Sequence, residues 1–127
     1  MPPAAKKGDQ ITATDTHMIL TPSGATSPVP HPFVGIIDGA LSSDVMIQSM
    51  AAATVDSTAT NTPSHIPIGG SFVNPPSNQG KIIKGSATVM INNKPAARSG
   101  DTALTCNDPV DAPVGTVVAV STVMIGG

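Results

Sequence analysis

Four side chains in this 127-residue chain are soft enough donors to hold a transition metal: His17, His31, His65 and Cys106, which are all of its histidines and its single cysteine. Three neutral imidazoles and one thiolate make a closed tetrahedral set suited to Zn2+, with no coordination position left for a substrate water. Local spacing does not announce such a site, because the chain has no Cys-x-x-Cys and no His-x-x-x-His pair. The same residues also fit scattered surface histidines and an inert buried cysteine. Their phase against an internal repeat is what favours convergence. His17 follows Asp9 by eight residues, His65 follows Ser57 by eight, and Cys106 follows Asp101 by five. Asp9, Ser57 and Asp101 occupy equivalent places in that repeat, so three donors are expected to meet at one end of the body. His31 comes from the segment 21–32, stiffened by Pro30 and Pro32.

The repeat that must position these donors is carried by three Val-Met-Ile triplets, at 45–47, 89–91 and 123–125. Ala51-Ala52-Ala53 and Pro95-Ala96-Ala97-Arg98 follow the first two. The counterpart for the third lies at the other end of the chain, as Pro3-Ala4-Ala5-Lys6-Lys7-Gly8-Asp9. The units therefore run over about 36–57 and 82–101, with a third made of 117–127 joined to 1–9. Three similar units closed head to tail imply a body with pseudo-threefold symmetry.

Each unit reads as a short strand (Ile36-Ile37, Ile82-Ile83 or Val117-Val118), the triplet as a second strand, a two-residue turn and a returning strand. The turn pairs are Gln48-Ser49, Asn92-Asn93 and Gly126-Gly127. Asn and Gly accept the positive φ that two-residue hairpins require, whereas Gln-Ser does so poorly. The small Ala-Ala pairs allow close approach near an axis. The termini are expected side by side, with Met1 removed or turned away. Lys6 and Arg98, near Asp9 and Asp101, either fix a rotational register or are ordinary surface charges, and the small worth of exposed pairs favours the second. The Pro-, Ser- and Thr-rich segments 21–32, 57–79 and 102–114 read as connectors of turns and extended backbone.

Composition narrows the class. With 13 Pro, 12 Gly, two Phe and no Trp or Tyr, the chain has little material for long helices or an aromatic core. The reading is one domain over 1–127, small enough that metal, oligomerisation or docking must staple it. A net charge of −2 without a basic cluster argues against nucleic acid. No stretch resembles a secretory signal or a membrane span, so the protein is expected to be made in the cytoplasm and to leave without a cleaved signal.

The stretch Gly85-Ser-Ala-Thr-Val-Met-Ile-Asn-Asn-Lys-Pro-Ala-Ala-Arg-Ser-Gly-Asp101 resembles the PAAR-repeat proteins, which the Pro95-Ala96-Ala97-Arg98 element names. The start, Met1-Pro-Pro-Ala-Ala-Lys-Lys-Gly-Asp9, is similar to that family's N-terminus, and the likeness covers essentially the whole chain. The middle unit departs from it with Ala51-Ala52-Ala53-Thr54, and the first unit ends in Lys6. The section from His17 to His65 is longer than in the shortest members, which sets His31 apart.

The resemblance implies an all-β fold, a short pseudo-threefold cone of three β-strand repeats with few or no helices. Its base would dock on the blunt end of a trimeric, VgrG-like β-helical spike in a contractile injection system of the type VI secretion kind. Its apex would be stapled by one structural zinc, with His17, His31, His65 and Cys106 as the ligands. The implied function is structural: a tip that caps the spike and sharpens it for piercing a target envelope, assembled into a particle and delivered outside the cell or into the target. The alternative is an adaptor that carries a toxin effector noncovalently, with 57–79 as its surface. An enzyme using Cys106 as nucleophile or a zinc-bound water would need a cleft and an open site. Thiol reactivity is the expected discriminator, because a zinc thiolate resists alkylation until the metal is chelated.

Overall fold

Strict alternation of inward and outward residues builds strands, and the computed structural model, which describes residues 2–126, holds eleven of them and no helix among those residues. They are β1 (Gln10–Leu20), β2 (Thr26–Gly39), β3 (Met46–Ile47), β4 (Met50–Ala51), β5 (Thr58–Asn61), β6 (Ser71–Phe72), β7 (Gln79–Ile82), β8 (Met90–Ile91), β9 (Lys94–Pro95), β10 (Thr102–Thr105) and β11 (Ala112–Val118). Six of them close into a ring, β1-β2-β5-β7-β10-β11 and back to β1, every neighbour antiparallel. Closure removes the exposed edges that such short strands would otherwise leave. The all-β, cone-like reading therefore holds.

The interior of the ring takes Ile11, Phe33, Ile37, Ala59, Ile82, Ala103 and Val117. Phe33 is the largest fully buried side chain, and glycines make room for it. A Cβ on Gly35 would meet the Phe33 ring at 2.6 Å and one on Gly80 would meet it at 3.2 Å. One aromatic thus fills a barrel whose other walls are Ile, Val and Ala.

Reading 21–32 and 102–114 as connectors needs correction, since about half of each is barrel wall, whereas 57–79 is mostly connector between β5 and β7. Pro28, Pro30 and Pro32 stand on alternate, outward positions of β2 opposite Met18, Thr16 and Thr14. Their missing donors all fall on one side of the strand, and β2 meets β5 only from Gly35 onward.

Below the ring, backbone hydrogen bonds recur in threes. Ala5 N donates to Ala97 O (3.0 Å), Ala97 N to Ala53 O (3.1 Å) and Ala53 N to Ala5 O (3.0 Å), a closed cycle about one axis. Gly8 N to Ile37 O, Asp56 N to Ile82 O and Gly100 N to Val117 O repeat a second set at 2.8–2.9 Å. Ala4, Ala5, Ala52, Ala53, Ala96 and Ala97 are wholly buried, because only a methyl fits where three strands meet.

The hairpins β3–β4 and β8–β9 each return on a two-residue turn, and the termini complete a third arrangement through the Pro3–Met124 bridge and the Ile125 N to Pro2 O bond (3.0 Å). Met1 and Gly127 lie outside the described residues, and with them the Gly126-Gly127 turn and the expectation for Met1. Gln48 and Ser49 take φ of 49° and 68°, close to the 51° and 64° of Asn92 and Asn93. The pair least suited to left-handed backbone adopts it anyway. Replacing it with Asn-Gly is expected to stabilise the protein by about 1 kcal/mol, a rise of a few degrees in thermal midpoint by calorimetry.

The reading of Lys6 and Arg98 as ordinary surface charges also needs correction. Their side chains are 15% and 13% exposed and pair with Asp9 and Asp101 at 3.0 and 2.9 Å. Each aspartate also caps its own turn, accepting from Lys6 N (2.9 Å) or Arg98 N (2.7 Å), and Ser57 Oγ does the same for Thr54 N (2.9 Å).

Candidate metal centre

Period-two geometry puts Asp15, His17 and Ile19 on the inward face of β1. The antiparallel register sets His31 of β2 directly opposite Asp15. His65 comes from the segment after β5, where its main-chain N donates to Asn78 Oδ1 at 2.7 Å. Cys106 follows β10 immediately. The cluster lies far along β1 from the two described hairpins, roughly 25 Å for the eight residues from Asp9 to His17 at ~3.3 Å each.

The four donors singled out in the sequence are gathered here. The imidazole centroids of His17 and His65 are 4.9 Å apart, and that of His31 lies 5.6 Å from each. Cys106 Sγ is 3.7 Å from His17 Nε2. Asp15, His17, His65 and Cys106 place one ligand atom each within 4.8 Å of one another, a set that could hold a metal ion. His31 stands beside that set rather than within it. Asp15 is the residue sequence reasoning missed; the available signal was a carboxylate two positions before His17, hence on the same strand face.

The outer contacts leave particular ring nitrogens free. His31 Nδ1 donates to Val29 O at 2.8 Å, so its buried, partnerless Nε2 faces inward as a lone pair. His65 Nε2 is engaged by Asp15 Oδ2 at 2.8 Å, which leaves Nδ1. His17 points Nε2 towards the thiol, with Nδ1 3.6 Å from Asp108 Oδ2. Asp108 in turn accepts from Met18 N (2.8 Å), and Asn107 from Thr16 N (2.7 Å), strapping the Cys106 segment to β1. Both phenylalanines pack against the imidazoles: Phe72 of β6 within 5.7 Å of His17 and 5.5 Å of His31, Phe33 within 6.0 Å of His65.

The sequence matches the family model of the PAAR motif twice, over residues 26–110 and 74–127. This chain belongs to the PAAR-motif family. No curated protein matches it in sequence.

Electrostatics in this PAAR-family chain suit a metal better than a nucleophile. Burial, and then the neighbouring His65, hold the His17 pKa below its usual range, favouring the neutral, ligand-ready imidazole. Burial, followed by Asp15, pushes the Cys106 thiol up to about 11. At 3% exposure that thiol is shielded, and a cation held there would have to displace its proton. Thiol reactivity is therefore a poorer discriminator than expected, because burial alone protects Cys106. The orphaned His31 Nε2 and the nitrogen-and-sulfur donor set both fit Zn2+.

Proposed function

We propose that this protein is the structural tip of a contractile injection system, capping a trimeric, VgrG-like β-helical spike. A single zinc held by His17, His31, His65 and Cys106 stiffens its apex. The observation that carries this reading is the face presented by the three repeats. In each Val-Met-Ile triplet the isoleucine is buried (Ile47 4%, Ile91 7%, Ile125 5%) while the methionine is exposed (Met46 59%, Met90 56%, Met124 48%). Val45, Val89 and Val123 beside them are exposed as well. A threefold-repeated apolar patch on one chain matches a three-chain partner, and adaptable methionines suit such a junction.

The zinc would tie β1, β2 and the segments after β5 and β10 into one rigid point, contributing folding free energy where the core is thin. The role is mechanical: Cys106 is buried, and in the closed set its thiolate would be committed to the metal. The tip is made inside the producing cell and leaves it within the particle. Mixing the purified chain with the trimeric spike should give one chain per trimer by native mass spectrometry. Failure to associate at micromolar concentration sinks the capping role.

A second reading, an adaptor for a noncovalently held effector, draws on a cavity of about 250 Å3 beside the cluster. Val34, Pro63, Ile66 and Ile68 line it, and Ile66 and Ile68 are exposed.

A further inference from the structure

Asp15 is fully buried, and the groups that touch it are hydrogen-bond donors. Thr105 Oγ1 and Asn107 Nδ2 (3.4 Å) donate to its Oδ1, and His65 Nε2 (2.8 Å) and Cys106 Sγ (3.4 Å) donate to its Oδ2. Neutral donors alone leave a buried carboxylate with uncompensated charge, which is costly in a low-dielectric interior. A Zn2+ bound by one thiolate and three neutral imidazoles carries a net charge of +1, from +2 and −1. That offsets the −1 of Asp15, while Asp108, 3.6 Å from His17 Nδ1 and 9% exposed, adds a further negative charge at the edge of the cluster.

The geometry points to Asp15 as a positioning residue of the metal centre: its carboxylate holds His65 in the tautomer that frees Nδ1 for zinc, and it balances the buried charge. This rests on the zinc reading proposed above. Asp15 acts on the metal through His65 and through its field, as a carboxylate behind a ligating imidazole does. The bond from Thr105 fixes the other carboxylate oxygen, so Asp15 is oriented before any metal arrives. Cys106 gives up its hydrogen bond to Asp15 when its proton leaves, whereas the His65 bond persists.

Asp15→Asn keeps the shape but turns an amide NH2 towards His65 Nε2. The ring proton must then move to Nδ1, the nitrogen the metal needs. Competition against a chromophoric chelator is expected to show zinc held 10–100-fold more weakly than in wild type (roughly, for loss of such an outer partner). Asp38→Asn, an exposed control, is expected to change nothing. The visible spectrum of the Co2+-loaded protein is expected to keep its tetrahedral intensity in both wild type and D15N.

Equal zinc affinity in D15N and wild type overturns the role of Asp15, as does tighter binding. A weak five-coordinate cobalt spectrum in wild type that turns tetrahedral in D15N also overturns it, by making Asp15 a ligand. Should D15N not fold, Thr105→Val carries the test, with a several-fold loss expected and no loss overturning the inference. Wild-type protein that takes up no zinc would instead overturn the metal centre itself, and this inference with it.

Discussion

On the zinc reading, chelation is expected to lower the thermal midpoint of the purified protein by roughly 15 °C, and restoring zinc to reverse the change. A ligand that binds only the folded state, at a thousand times its Kd, stabilises by about 4 kcal/mol. In a domain of this size each kcal/mol is worth ~4 °C. The effect is large because the cluster joins segments far apart in the chain, from β1 to Cys106, around a core with one large aromatic, Phe33. Without a cation, His31 Nε2 remains buried without a partner, and the protein keeps that penalty. Cys106→Ser should mimic chelation, since a hydroxyl keeps the shape but not the thiolate. Calorimetry with and without chelator, paired with elemental analysis showing about one zinc per chain beforehand, is the measurement. A shift of under ~2 °C would remove zinc from the account of stability.

Changing Met46, Met90 and Met124 together to Glu is expected to abolish the proposed binding to a trimeric spike while the fold survives. All three side chains are about half exposed or more, so they contribute little to the folded monomer. Burying each against a partner is worth about 1.5 kcal/mol, so losing all three costs ~4–5 kcal/mol, or about a thousandfold in Kd. Three carboxylates pressed against an apolar face add a desolvation penalty. The same exchange at Ile47, Ile91 and Ile125 would instead unfold the base, because those side chains form a small second core with Ala4, Ala52 and Ala96. Binding titrations on the triple variant, with a melting curve as control, decide the matter. The three single variants should weaken binding by similar factors. Undiminished binding by the triple variant would place the spike contact elsewhere.

Much of the fold was legible because the chain repeats itself. Val-Met-Ile and the Ala-Ala pairs recur with turn residues between them, and a repeat that cannot bury its own face implies neighbours that do. Donor identity was legible because histidine and cysteine are scarce here. Asp15 was not, because aspartates are common and only burial opposite His31 marks this one. The proline-rich stretch of β2 read as a linker, since composition does not say which side of a strand lacks a neighbour. Gln48-Ser49 takes a turn its residues disfavour because the shared alanine axis, which also positions the matching β8–β9 hairpin, determines where it must reverse.

Residue type and repeat phase by themselves determined the all-β class, the number of units and which side chains could reach a metal, because these depend on local pattern and scarcity. Tertiary structure alone decided that six strands close into a ring, that Asp15 stands among the imidazoles, and that Lys6 and Arg98 pair inward with their aspartates. Strand register and burial are properties of contacts between distant segments, and no single stretch of the chain carries them.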